Sequence, residues 1–170
     1  MTAPAAVLLD IEGTTTPISF VYQVLFPYAR QHFEDFLKQH WEIPEVQSEA
    51  IALGASCVES AVQLALQAMD EDRKLGPLKA LQGRIWEDGY RRGRLRGQLF
   101  PEVAEALKAW REAGISVNIY SSGSVLAQKL LFGFSEAGDL QPWIDGYFDT
   151  AVGAKRSEEH TSELQSRQYL

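Results

Sequence analysis

The chain has one cysteine, Cys57, three histidines and no long apolar run. A single thiol excludes an internal disulfide, and the opening residues lack the charged start, apolar stretch and cleavage site of a secretory leader. A cytoplasmic, reducing environment is therefore expected. Spanning a bilayer takes roughly 20 consecutive apolar residues, and every apolar stretch here is broken by Asp, Gln or Pro within a few positions. No membrane partner is expected. Positive charge is also short: 16 Lys and Arg face 23 Asp and Glu, for a formal net charge of −7. That balance repels nucleic acid and anionic lipid surfaces and leaves a small molecule as the expected partner. No paired Cys or His stand at zinc-ligand spacing, and no Gly-x-x-x-x-Gly-Lys-Ser/Thr loop occurs, so a zinc module and a P-loop nucleotide site are set aside.

What is present is a core. The 170 residues are 45% hydrophobic, with four Trp, six Tyr and eight Phe, enough for one globular domain with an insert. Ala5-Ala-Val-Leu-Leu9 is a short continuous apolar run ending at Asp10 and the turn-former Gly13, as a buried parallel strand would. From Ser19 to Arg96 the pattern is helical, with segments expected at about 20–40, 46–69 and 77–92. In the second of these, Ile51, Val58, Val62, Leu66 and Met69 recur at helical spacing and predict one buried face. Pro101 opens a further helix with Val103, Leu107 and Trp110 on one side, closed by Gly114. Ile115–Tyr120 reads as a second strand, Val125–Phe132 as a helix and Gly146–Phe148 as a third strand. The order predicts an α/β fold: a partial Rossmann-like parallel sheet with an all-helical insert after its first strand. The expected division is a core of residues 1–18 and 97–155, a helical cap of 19–96, and a tail of 156–170; a monomer is expected.

Three segments carry candidate chemistry. In Asp10-Ile-Glu-Gly-Thr14, an acid at the carboxyl end of a strand lies at the edge where open α/β sheets bind ligands. Glu12, two residues on, returns to the same side, and Gly13 permits close approach of an anion. Phosphoryl transfer needs a carboxylate nucleophile, a second acid or base, and a cation. The plainer alternative is that Asp10 caps a turn and Glu12 is solvated. Ser121-Ser-Gly-Ser124 follows the second strand and leads into a helix, which suits a phosphate cradle; an ordinary N-cap would need only one of these serines. Lys155, after the third strand, is placed to hold a phosphate oxygen, although most lysines are simply surface residues. His32 and His40 read as packing, as do Trp41, Trp86, Trp110 and Trp143. Arg84, Arg91, Arg92, Arg94 and Arg96 read as a solvated helix face interleaved with Glu87 and Asp88.

The ordered set of an Asp-x-Glu-Gly-Thr strand end, a later strand ending in Ser, and then a Lys resembles the haloacid dehalogenase-like hydrolases. The spelling Asp10-Ile-Glu-Gly-Thr-Thr-Thr-Pro-Ile-Ser-Phe-Val21, with Tyr120-Ser-Ser-Gly-Ser124 and Phe148-Asp-Thr-Ala-Val-Gly-Ala-Lys155, looks like their enolase-phosphatase branch. The resemblance covers about residues 5–155. It implies a magnesium-dependent enzyme that enolises and dephosphorylates 2,3-diketo-5-methylthiopentyl-1-phosphate in methionine salvage through an aspartyl-phosphate. Asp10 would be nucleophile and metal ligand, Glu12 the second acid and a metal ligand, in relatives through its backbone carbonyl, and Ser121, Ser122 and Lys155 the phosphate holders. Another small phosphate ester as substrate, or a catalytically incomplete fragment, are the alternatives. The family carries a further acidic motif after a fourth strand, and nothing after Lys155 matches it, so a weak or inactive chain is expected. The polar run Arg156-Ser-Glu-Glu-His-Thr-Ser-Glu-Leu-Gln-Ser166 is similar to the conceptual translation of a sequencing-library adapter; a solvated terminal tail is the alternative.

Overall fold

A computed structural model describes residues 4–153. Lys155 and the run from Arg156 lie outside the described residues. Three parallel strands, β1 (Ala6–Leu9), β2 (Ser116–Tyr120) and β3 (Gly146–Phe148), form one sheet in the order β1-β2-β3. Between β1 and β2 run α1 (Ile18–Phe20), a π-helical turn (Val21–Leu25), α2 (Phe26–His40), α3 (Pro44–Ala52), α4 (Val58–Asp70), α5 (Gly76–Arg91) and α6 (Pro101–Glu112). Between β2 and β3 lie α7 (Val125–Gly133) and a 3₁₀ turn (Gln141–Trp143). Because the strands are parallel, Asp10, Ser121 and Asp149 all stand just past the same edge of the sheet. The element order gives the expected α/β architecture.

The register sorts the strand residues by face. Val7 pairs with Val117, and Leu9 with Ile119, whose partner on β3 is Tyr147. Val117 and Ile119 are fully buried on this face, which the helices cover. The opposite face carries Leu8, Asn118 and Phe148, and Leu8 is 65% exposed. The first strand is therefore not buried throughout, as its unbroken apolar run predicts. It alternates between half-buried and exposed, because β1 is an edge strand covered on one face only among the described residues.

The helical insert packs around Phe20, Phe33, Leu37, Leu81 and Ile85, all essentially inaccessible. Burying side chains of this size contributes roughly 1.5–3 kcal/mol each. The single helix expected over 46–69 is two. Gly54, at φ 96, ends α3; Ala55 N–H bonds back to Ala50 O at 3.0 Å, and α4 restarts behind the Cys57–Ser60 capping box. The expected stripe fails with it: Ile51 is 64% exposed, and the buried face of α4 is Ala61, Ala65 and Ala68. These small side chains allow α4 to lie close to α2, where Ala29 is also fully buried.

Candidate functional site

The loop after β1 is wound tightly on itself. The N–H groups of Thr14, Thr15 and Thr16 converge on Ile11 O at 3.2, 3.0 and 2.9 Å, and Gly13 N–H bonds to Thr16 O at 2.8 Å. Gly13 takes φ 77, and a Cβ there would meet Ile18 at 3.3 Å, so the turn is open to glycine on both counts. Thr15 Oγ1 donates to Asp10 O at 3.2 Å, and Ile11 N–H donates to one Asp10 carboxylate oxygen at 2.8 Å. Asp10 is thereby held at the strand end, half-buried. Glu12, also half-buried, forms a bridge with Thr16 and lines a cavity of about 440 Å³.

The second wall of that cavity is the Ser121–Ser124 loop. Ser124 is the N-cap of α7, its Oγ accepting from Ala127 N–H at 3.2 Å. One serine thus accounts for capping, which leaves the hydroxyls of Ser121 and Ser122 for another task. Ser121 is 3% exposed; its N–H donates to Phe148 O at 3.2 Å and its Oγ accepts from Gly123 N–H at 3.2 Å. Asp149, just past β3, accepts from the N–H of Val125 at the first turn of α7, at 3.3 Å, and from Ala151 N–H at 2.9 Å. The cavity therefore gathers Glu12 with Ser121 and Ser122; Asp10 is not among its lining residues and borders it through Ile11.

Most of the remaining lining comes from the insert, with Tyr22 and Leu25 from the π turn, Phe26, Met69, Leu78 and Trp86 beside the charged Arg30, Asp72, Arg73 and Lys74, and α7 adds Ala127, Gln128 and Leu131. π turns inside helical runs recur at functional sites, and this one lies on the cavity wall. Trp86, expected to be packing, is also wall: it is 8% exposed and its indole N–H donates to Leu25 O at 2.8 Å. Lys79 was not singled out by any sequence signal. Its Nζ donates to Ser122 O at 3.2 Å, across from α5 to the loop, and it lines the same cavity half-buried. At the rim, Arg30 grips Asp70 through two bonds of 2.8 and 3.3 Å and ties α2 to α4.

The two acids supply oxygen donors, the ligand type a hard cation such as magnesium takes. Magnesium is often held by one or two carboxylates together with substrate phosphate, and Asp10 with Glu12 fits that in kind. Among the described residues no group of three or more His, Cys, Asp or Glu stands ready for a metal. The remaining expectations fall as packing. His32 stacks on Tyr28 and His40 on Phe36, each ring nitrogen Nδ1 lying 2.8 and 2.9 Å from the carbonyl four residues back. Arg91 pairs with Glu87 and Arg92 with Asp88 along α5.

The model of the haloacid dehalogenase-like hydrolase family matches residues 4–163. The chain is 51% identical over 157 residues to "Enolase-phosphatase E1" of Pseudomonas aeruginosa strain UCBPP-PA14, covering 89% of this chain and 70% of that protein. The chain belongs to the haloacid dehalogenase-like hydrolases, in their enolase-phosphatase branch. Serratia proteamaculans has a relative of the same name at 54% identity, over 89% of this chain and 69% of its own length. Among solved structures, the UTR4 protein of Saccharomyces cerevisiae superposes with a TM-score of 0.79 at 33% identity, over 98% of this chain and 76% of that one. The hydrolase family agrees with a cavity lined by Glu12, Ser121 and Ser122 from the carboxyl edge of a parallel sheet.

Proposed function

We propose that this hydrolase acts in methionine salvage on 2,3-diketo-5-methylthiopentyl-1-phosphate, enolising it and releasing phosphate to leave an acireductone. The observation that carries the reading is the mixed lining of one cavity. It combines Glu12, Ser121 and Ser122 with apolar Phe26, Met69, Leu78 and Trp86, and with the cations Arg30, Arg73, Lys74 and Lys79. A short ester with a charged phosphate and an apolar thioether tail suits a lining of both kinds. Residues 19–96 then act as the cap that receives the tail.

In this reading an Asp10 carboxylate oxygen attacks phosphorus, the ester P–O bond breaks, and water hydrolyses the resulting aspartyl-phosphate. Glu12 serves as the second acid. Ser121 and Ser122 hold the phosphate oxygens, and Lys155, placed in this role by its order in the chain alone, neutralises them together with the nucleophile. Lys79 adds a second cation beside the Ser122 peptide. Asp10 and Glu12 would hold magnesium, which when bound offsets phosphate charge and stabilises an enolate oxygen. A cytoplasmic monomer remains the expected setting, and no helix among the described residues is long and apolar enough to cross a membrane.

The test is to incubate the chain with magnesium and the diketo ester, following phosphate release and the enolic product in parallel with a panel of other small phosphate esters. Preferential turnover of the diketo ester is expected. Another ester hydrolysed at least tenfold faster would replace the substrate assigned here.

A further inference from the structure

Gln128 is fully buried on α7, where the other buried residues are Leu130, Leu131 and Phe132. An amide in apolar surroundings is costly unless its hydrogen-bonding groups are used. Nε2 is used twice: it donates to Gly123 O at 2.9 Å and to Phe148 O at 2.8 Å. These acceptors belong to two different strand ends, the loop after β2 and the last residue of β3. Phe148 O also takes the N–H of Ser121. The amide cannot be turned over, because Oε1 would then face two carbonyl oxygens. Oε1 is left buried with no partner among the described residues, in a residue that forms part of the cavity wall. Packing alone would be met as well by Leu or Met, without an orphaned oxygen.

We infer that Gln128 is a positioning residue that clamps the Gly123 and Phe148 carbonyls, so that the Ser121–Ser124 loop keeps the shape that receives a phosphate group. The inference rests on the phosphate reading of that loop. Successive peptides of the loop are pinned in turn. The Ser122–Gly123 peptide is held at its oxygen by Lys79 and at its N–H by Ser121 Oγ, and the Gly123–Ser124 peptide is held at its oxygen by Gln128. Gly123 has no side chain to fix its own backbone, so these bonds set the loop. With a lone pair of Ser121 Oγ engaged by Gly123 N–H, the Ser121 hydroxyl proton is free to be given to an anion. Gln128 itself touches no reacting atom.

The experiment compares the full chain with Gln128→Met by amide hydrogen exchange and by titration with inorganic phosphate. The Ser121 amide is expected to exchange at least tenfold faster in the variant while Ile119 and Leu107 stay within twofold. Phosphate affinity should weaken about tenfold, with the melting temperature lowered by no more than a few degrees. Unchanged Ser121 exchange would overturn the clamp. Faster exchange with unchanged phosphate affinity would overturn its positioning role and leave a purely structural one. If the wild-type chain binds no phosphate, the cradle reading falls, and the clamp is judged on Ser121 exchange alone. Gln128→Glu keeps the volume but replaces both donors with acceptors, and is read in the same way should the Met variant fail to fold.

Discussion

Gly97 stands where the chain returns from the helical insert to the sheet, and a single methyl group there should disturb both. A Cβ at this position would lie 2.2 Å from Leu131 O and 3.1 Å from its carbonyl carbon. Both atoms are backbone of α7, so no side chain can swing away. The close approach is fastened by two backbone hydrogen bonds, Gly97 N–H to Phe134 O and Glu136 N–H to Gly97 O, each 2.9 Å. Restoring ordinary contact requires a separation of about 1 Å, which breaks or badly stretches both bonds. At roughly 1 kcal/mol net for each, with strain added, Gly97→Ala should cost about 2–3 kcal/mol. For a domain of this size that lowers the melting temperature by about 5–10 °C. Gly76 is the control, because it begins α5 and has nothing within 4 Å of an added Cβ. There the same substitution should change stability by less than about 0.5 kcal/mol, the entropy gain in the unfolded chain being offset by the restriction that Pro77 places on the residue before it. Thermal and denaturant unfolding of both variants measures the contrast. A Gly97→Ala protein within about 0.5 kcal/mol of wild type would refute the steric reasoning.

Asp10→Asn should lower phosphate release on the order of a thousandfold, since an amide is a poor nucleophile toward phosphorus; retention of more than about a tenth of the activity would remove Asp10 from that role. Lys79→Met removes a charged donor from the Ser122 carbonyl. Such bonds contribute roughly 1.5–3 kcal/mol when buried, and half-burial reduces this to about 1 kcal/mol, or a loss of about fivefold in kcat/KM; Lys79→Arg should recover part of it, and a drop in stability without a kinetic change would count against the assignment. Asp145 accepts the N–H of Val117 at 2.9 Å and pairs with Arg111, which together hold its carboxyl below the usual value of 3.8. A depressed carboxyl stabilises the fold above its unfolded pKa and loses that contribution as the pH falls through the folded one. Acid unfolding followed by circular dichroism should therefore show a shallower decline below about pH 4 in Asp145→Asn than in wild type; identical acid profiles would dismiss the linkage.

The strands were legible because each is a short apolar run closed by a residue that cannot continue it: Asp10 after Leu9, the serines after Tyr120, Asp149 after Phe148. The break between α3 and α4 was not, since apolar residues happen to continue at helical spacing through Gly54, and the helix restart uses Cys57, an uncommon cap. The stripe Ala61, Ala65, Ala68 was overlooked for a related reason. Alanine contributes little to a hydrophobic pattern, yet it is the residue that lets two helices touch. The larger residues beside it, Val62, Leu66 and Met69, are only half-buried.

The same division runs through the site. Its polar half is written in contiguous motifs because a parallel sheet collects the carboxyl ends of its strands at one edge, so Glu12, Ser121 and Ser122 announce themselves by following strands. Its other half depends on contacts between residues far apart in the chain. Lys79 reaches Ser122 across 43 positions, and Trp86 reaches Leu25 across 61. A lysine in a helix gives no local sign of such a contact, and neither does a glutamine such as Gln128, whose value lies in joining two loops that only the folded sheet brings together. In the proposed function the phosphate group is received by Ser121 and Ser122, whose loop Lys79 and Gln128 brace, and this part suits any phosphate ester. Choice among esters would then fall to Tyr22, Phe26, Met69, Leu78 and Trp86, whose common cavity exists only once α2, α4 and α5 have packed. Substitutions among these five should therefore change which ester is preferred, while substitutions at Ser121 and Ser122 should weaken all esters alike.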